Sequence, residues 1–440
     1  NQQVNQTNIR TLDAKIELEP WVDFTINVDF KKSFAENTAL DYIFGPPSDT
    51  IGGNFDNQYE IRGLRNFGSY EVSYWALQTL FNGDIQSVFR QFEKNRIAIS
   101  ARLLRERGDR PDLPHDVDGP LYAQGYGRQN QEVLIPAFIA AYTGGDPETM
   151  DLNLTEQVKK GSFLPKPSWD LRYNGLNKLP FFKDIFTSVS VSHGYDASLE
   201  VNSFQTDLQY DKFYGGSVST NSNFNPTFID PLIASKNYFS RYEIPDIVIS
   251  ERFAPIIGID MKTVNDMNIN FEYSKSRILS LDLGVGQLNE VNTTEILFGF
   301  GWVLQNVNIP FLTGRQLKIP KVRVGVDTEN GLQTGDKEEE REDPQAGERG
   351  VNTEQNKMNI AFNFGFRDDV TFLHELDSGA SSKAIRGLKS ISINPAVDYD
   401  INKNFTLRAF VEYNLTEPYV SDSFRSTRIE GGITARFNLN

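Results

Sequence analysis

The 440-residue chain has no cysteine and only three histidines. Without thiols it can form no disulfide framework, no thiolate metal site and no cysteine nucleophile. It also lacks the roughly 18–20 uninterrupted apolar residues that a membrane-spanning helix needs. The nearest run, Val133 to Tyr142, is far shorter and contains Pro136. With 39 % hydrophobic residues and a mean hydropathy of −0.43, the chain is not an α-helical membrane protein. A basic surface is missing too. Fifty-nine Asp and Glu against 44 Lys and Arg leave a net charge of −15, which argues against a nucleic-acid partner, because phosphate binding needs a basic face. The start, Asn1-Gln2-Gln3-Val4, shows no Met, no basic n-region and no apolar h-region. The expectation is a chain that begins partway through a longer, exported polypeptide.

Catalytic constellations are equally scarce. His115 sits in a Pro-rich loop beside Asp116, His193 lies within a long strand pattern, and His374 lies at a strand end beside Glu375. Ser192 and His193 are adjacent, so on a strand their side chains point to opposite faces and cannot form a nucleophile–base pair. No Gly-rich phosphate loop, HExxH or EF-hand spacing appears; Asp327-Thr328-Glu329-Asn330-Gly331 starts like a calcium loop, but the later ligand spacing fails. The sequence therefore leads us to expect no catalytic, cofactor-binding or metal residues, no cofactor, and no enzymatic activity.

What the chain has in abundance is period-two alternation and aromatics, with 32 Phe and 17 Tyr. Leu12, Ala14, Ile16 and Leu18 alternate with charged residues, and Val22, Phe24, Ile26, Val28 and Phe30 follow after a break at Glu19-Pro20-Trp21, which predicts a hairpin. Val189 to Val201, Ile269 to Val285, Ile296 to Leu304, Met358 to Phe366, Ile391 to Ile401, Phe405 to Tyr413 and Ile429 to Leu439 repeat the pattern. About a dozen strands are expected, many longer than the usual five or six residues and suited to the roughly 9–11 tilted residues that cross a bilayer. The opposite parity is rich in Asp, Glu, Asn, Ser, Thr and Lys. That suits a water-filled lumen behind a lipid-facing apolar surface better than a packed sandwich core.

Tight turns are predicted near Pro20, Val264-Asn265-Asp266 and Asn402-Lys403-Asn404, and long polar connections over 35–68, 82–167, 213–243, 327–357 and 415–428. Short turns at one end and long loops at the other are the layout of an outer-membrane barrel. Residues 327–357 hold ten Asp and Glu against four Lys and Arg, reading as an acidic, mobile external loop. Residues 82–167 differ: Ile85, Val88, Phe89 and Phe92 have helical spacing, and Gln131 to Tyr142 predicts a second helix interrupted or started near Pro136. This segment is expected to be a partly helical insertion outside the barrel.

An ordered set of segments is more specific. Leu18-Glu19-Pro20-Trp21-Val22-Asp23-Phe24, Arg90-Gln91-Phe92-Glu93-Lys94-Asn95-Arg96, Gly125-Tyr126-Gly127 and Val133-Leu134-Ile135-Pro136-Ala137-Phe138 come first. Leu171 to Leu176, Leu179-Pro180-Phe181-Phe182, Ser192-His193-Gly194-Tyr195, Ile249 to Asp260 and Leu288-Asn289-Glu290-Val291 follow. In this order they resemble the C-terminal region of the SprA/Sov family, the outer-membrane translocon of the type IX secretion system of gliding Bacteroidetes. The resemblance runs from about residue 10 to the C-terminus, and the 249–260 block is its most specific part. The terminal Ala435-Arg436-Phe437-Asn438-Leu439-Asn440 departs from the final aromatic common in outer-membrane barrels. The resemblance implies that residues 1–440 form the last section of one very large single-chain transmembrane β-barrel, with 82–167 in its external cap. It also implies a gated pore for folded cargo carrying a type IX sorting domain, with an outer-membrane shuttle protein and a periplasmic plug protein as partners. The periodicity fits a free-standing porin or channel of about twelve strands equally well.

Overall fold

The structure, a computed structural model, describes residues 2–44, 59–81, 84–106, 114–115, 119–207, 237–307, 309, 356–377, 382–402, 404–420 and 424–437. The strands are β1 (Gln2–Trp21), β2 (Phe24–Phe44), β3 (Tyr59–Ser73), β4 (Pro114–His115), β5 (Gly119–Ala123), β6 (Ser168–Tyr173), β7 (Phe186–Thr206) and β8 (Tyr242–Glu243). They continue with β9 (Asp246–Thr263), β10 (Met267–Asp282), β11 (Gln287–Gln305), β12 (Lys357–Glu375), β13 (Lys383–Asn402), β14 (Phe405–Pro418) and β15 (Ser426–Phe437). All but β4 and β5 belong to one sheet, ordered β1-β2-β3-β7-β9-β10-β11-β12-β13-β14-β15 with every neighbour antiparallel. Among the described residues β1 and β15 are its two edges and do not pair with each other.

Two-residue side-chain periodicity makes register decisive, because a slip of one residue would turn every apolar group to the other face. The ladders keep one parity across the sheet. Ile257, Tyr273, Ile296, Phe366, Ile391 and Leu415 are successive cross-strand partners. Ile259, Phe271, Phe298, Phe364, Ile393 and Tyr413 form the row beneath. Two tight connections use residues in the left-handed region, Asp23 (φ 67°) and Asp266 (φ 58°); Asp is among the few non-glycine types that tolerate it. The first hairpin turns at Val22-Asp23, later than expected. Pro20 instead falls where the β1–β2 register shifts, between Leu18 and Trp21, on an edge strand that can spare a ladder donor.

Strand β3 and strand β6 are two halves of one strand position. Both run antiparallel to β2, where Val72 faces Lys32 and Ser168 faces Asp29; on β7, Ser73 faces Ser198 and Trp169 faces Tyr195. Everything from 74 to 167 is inserted at this point. The two ends of the insertion meet, with Lys166 N–H donating to the Ser73 carbonyl at 2.9 Å.

The insertion holds α1 (Leu77–Leu80), α2 (Ile85–Glu106), α3 (Gln131–Thr143) and α4 (Leu154–Lys160); α5 (Pro180–Lys183) lies beyond β6. In α2 the stripe Val88, Phe89, Phe92, Ile99 and Leu103 is buried, as its 3.6-residue spacing requires. α3 is not interrupted at Pro136 but runs through it. It is capped by the Asn130 side chain, which accepts from Glu132 N–H, and closed by left-handed Gly144 (φ 71°). Nearly all of its residues from Val133 to Tyr142 are buried, since it forms the insertion's centre. These helices pack on the upper part of the apolar-parity face, against Phe34, Tyr70, Leu199, Ile249, Leu279 and Leu281. Each fully buried side chain of this size contributes about 1.5–3 kcal/mol.

Two expectations need correction. The stretch 35–68 is not a long connection: β2 extends to Phe44 and β3 starts at Tyr59. Alternation fails there because Glu36, Asn37 and Thr38 make both faces polar. Nor do short turns and long loops divide cleanly between the ends. The tight Asp282–Gln287 turn lies at the end of the long connections. Conversely, the strands bracketing the acidic stretch end at Gln305 and Lys357, the end carrying the 21–24 and 263–267 turns. Residues 327–355 themselves, like 208–236, lie outside the described residues.

Candidate functional site

The sheet offers two chemically opposite faces. On one, a band of apolar residues runs from β9 to β15, some seven to eleven residues tall along each strand: Met267 to Tyr273 on β10, Met358 to Phe366 on β12, Phe405 to Leu415 on β14. At the tight-turn end aromatics border it. Trp21 stacks on Phe24 at 4.7 Å, Phe24 meets Tyr173 at 6.1 Å, and Phe405 stacks on Phe437 at 4.4 Å. Phe182 contacts both Phe181 and Phe186, and Trp302 donates its indole N–H to the Asn265 carbonyl at 3.2 Å. On β15, Ile433 and Phe437 are 75 % and 68 % exposed, and among the described residues no layer covers the band there.

The opposite face carries Ser190, Ser192, Asp260, Asn268, Asn270, Glu272, Ser274 and Ser276 through its centre. Asn363, Arg367, Ser390, Ser392 and Asn394 continue it on β12 and β13. Hydroxyls, amides and mixed charges give this face a hydrated surface without an apolar patch.

Above the band the apolar parity is broken by charge, and these charges fasten the insertion. Arg277 on β10 and Glu251 on β9 form an ion pair with side chains 2 % and 0 % exposed. The Arg277 Nε donates to Glu251 at 2.7 Å, and its Nη2 donates to the Thr79 hydroxyl at 2.7 Å and to the Ala76 carbonyl at 3.3 Å. Tyr195 donates to the other Glu251 oxygen at 3.3 Å. The guanidinium lies 5.6 Å from the centre of the Tyr142 ring on α3; burial pushes the Tyr142 phenol well above its usual range and keeps it neutral there. Two further anchors reach the insertion. Arg96 on α2 makes a two-pronged pair with Asp377 at 2.8 and 3.2 Å, and Lys32 donates to the Phe163 carbonyl at 3.1 Å.

The histidines are placed as follows. His115 lies in the two-residue strand β4. His193 sits on the apolar parity of β7, its Nδ1 2.6 Å from the Ile256 carbonyl and its ring against Phe253, while Ser192 belongs to the opposite face. His374 is buried, stacked on Phe89 at 4.8 Å, with Ser382 Oγ at 2.5 Å and a Glu290 oxygen at 3.3 Å. Sequence reasoning did not foresee this trio. Its members come from two strands, β11 and β12, and from the residue just before β13, and the Ser382 hydroxyl and backbone N–H also bond to Gln86 at the start of α2. It therefore ties the helix to the sheet. The Arg277–Glu251 pair was also missed, although charged Lys275 and Arg277 within an otherwise apolar parity were a visible signal.

Among the described residues no helix is long and apolar enough to cross a membrane, and no group of three or more His, Cys, Asp or Glu is placed to hold a metal ion. No family model matches this chain, and no curated protein matches it.

Proposed function

We propose that this chain is a section of the wall of an outer-membrane β-barrel and acts in a protein-conducting translocon of the type IX secretion kind. The observation that carries the proposal is the shared register parity of strands β9 to β15, an aromatic-bordered apolar band on one face and a hydroxyl- and amide-rich face on the other. On β12 and β14 the band reaches the nine to eleven tilted residues a bilayer demands, and such two-faced strands are the pattern of a lipid-facing exterior around a hydrated lumen. In lipid, unpaired backbone at β1 and β15 costs several kcal/mol per group, so each edge must find a partner strand, and among the described residues the two do not pair with each other. That favours a wall wider than these strands over a free-standing porin of about twelve. The resemblance in segment order to the SprA/Sov family supports the same reading. On it, folded cargo with a type IX sorting domain moves past the polar face. The shuttle and plug proteins control access, and this chain makes and breaks no bond. The insertion forms a cap on the outer surface.

Deleting the gene and following a cargo protein with a type IX sorting domain tests the proposal. Cargo should accumulate in the periplasm, while cargo appearing outside at the normal level would overturn the translocon reading. A denaturing blot of native outer membranes separates the two barrels. A band several times heavier than 49.9 kDa supports the large wall, and one near that mass supports the porin.

A further inference from the structure

The seam where the insertion meets the apolar band carries a row of rings. Trp75, just after the point where the chain leaves β3, meets Trp169 edge-on at 6.1 Å. Trp169 contacts Tyr195 at 4.8 Å, Tyr195 contacts Phe253 at 4.8 Å, and Phe253 meets Phe81, just beyond α1, at 5.6 Å. The inner rings belong to the sheet and the two outer ones to the insertion. Those outer rings are open to solvent, Trp75 by 38 % and Phe81 by 55 %, although a packed interior lies directly above them. Each outer ring also has its own cation. Lys166 Nζ lies 5.9 Å from the centre of the Trp75 ring, and Lys275 Nζ lies 5.1 Å from that of Phe81. Neither lysine enters an ion pair among the described residues. The Trp75 indole N–H is held by the Pro167 carbonyl at 2.6 Å, which fixes the ring at the seam.

We infer that this shelf is a seat for an anionic membrane lipid. The Trp75 and Phe81 rings would rest at the interface between acyl chains and headgroups, and Lys166 and Lys275 would bind the lipid phosphate. The inference rests on the membrane reading above. The physical case is continuity and complementarity. Amphipathic rings concentrate at the boundary of a hydrocarbon layer, and this shelf lies at the band's upper border, opposite the girdle of Trp21, Phe24 and Trp302. A cation beside each exposed ring supplies the complement of the negative charge that an anionic headgroup layer presents. The cap would thus sit on the outer leaflet as well as on the strands.

Fluorescence quenching tests this in the full-length protein, reconstituted into nanodiscs of phosphatidylcholine with or without phosphatidylglycerol, both brominated near the headgroup. Single-tryptophan variants keep Trp75 alone or Trp302 alone. Both reporters should be quenched, and Trp75 quenching should rise with phosphatidylglycerol. Lys166→Gln and Lys275→Gln should each lower that anionic preference about five-fold, as for one basic side chain at an anionic surface, with Trp302 quenching unchanged as proof of folding. Quenching of Trp302 without Trp75, or an anionic preference indifferent to both lysines, would overturn the lipid seat and leave the wall reading intact. Quenching of neither would overturn the wall reading itself. Loss of the anionic effect on adding inorganic phosphate would show a free-phosphate site in place of a lipid one, and would also overturn the seat.

Discussion

Arg277 and Glu251 illustrate what a buried ion pair does. Taking both charges out of water is costly, so the pair is not a large net source of stability, but removing one partner strands the other in a nearly dry site. Glu251→Ala should destabilise the folded chain by about 3–5 kcal/mol, read as a lower urea midpoint for loss of the compact species on semi-native gels. The double variant Glu251→Leu/Arg277→Met should recover most of that loss, because no charge is left unpaired. A double variant no better than the single one would show that the contacts to Thr79, Ala76 and Tyr195 matter more than charge balance. At this scale the sequence was only half legible. A lysine and an arginine inside an apolar alternation marked a change of surroundings, yet nothing in β10 says that the partner carboxylate comes from β9 and the hydroxyl from α1.

At the scale of elements, the interrupted strand is the unexpected feature. From Val72 to Ser168 the partner strand β2 advances from Lys32 to Asp29, three steps. One residue between Ser73 and Ser168 would therefore complete an unbroken strand, and β7 requires the same count, with Ser198 facing Ser73 and Tyr195 facing Trp169. Replacing 74–167 by a single glycine should leave the sheet intact in detergent, with undiminished strand content by circular dichroism and intact mobility on semi-native gels. Loss of that signal would mean that the helices are needed to form the sheet. Long strands with clean alternation were readable because half of each side-chain set meets one uniform surrounding. The halves β3 and β6 were not. One is short, and the other lies where both faces are polar. Similarly, α3 shows no single helical stripe, because it is buried all round.

For the whole molecule, the ladders place the 21–24, 263–267 and 402–405 turns at one end of the strands, and the insertion toward the other. If the sheet spans a bilayer, those ends lie on opposite sides. The absence of native cysteine keeps labelling of this chain clean. Asp146→Cys, in the insertion, should react with an impermeant maleimide in intact cells, whereas Asn265→Cys should react only after the outer membrane is permeabilised. Equal labelling of both in intact cells would exclude a spanning sheet. The strand ends Gln305 and Lys357, between which the acidic stretch runs, lie at the Asn265 end of the ladders.

The amino-acid sequence by itself determined that this is a protein of long antiparallel strands with one apolar and one polar face, because side-chain alternation is a local property set by the geometry of an extended backbone. It also marked the helical insertion through the spacing of Ile85, Val88, Phe89 and Phe92. Only the tertiary structure decided which strands are neighbours, at which end each connection lies, and that the insertion interrupts a strand and is clamped to the apolar-parity face. Those outcomes depend on pairings between residues as distant as Arg277 and Thr79 or Arg96 and Asp377, and no local periodicity encodes which remote partner will satisfy a buried charge.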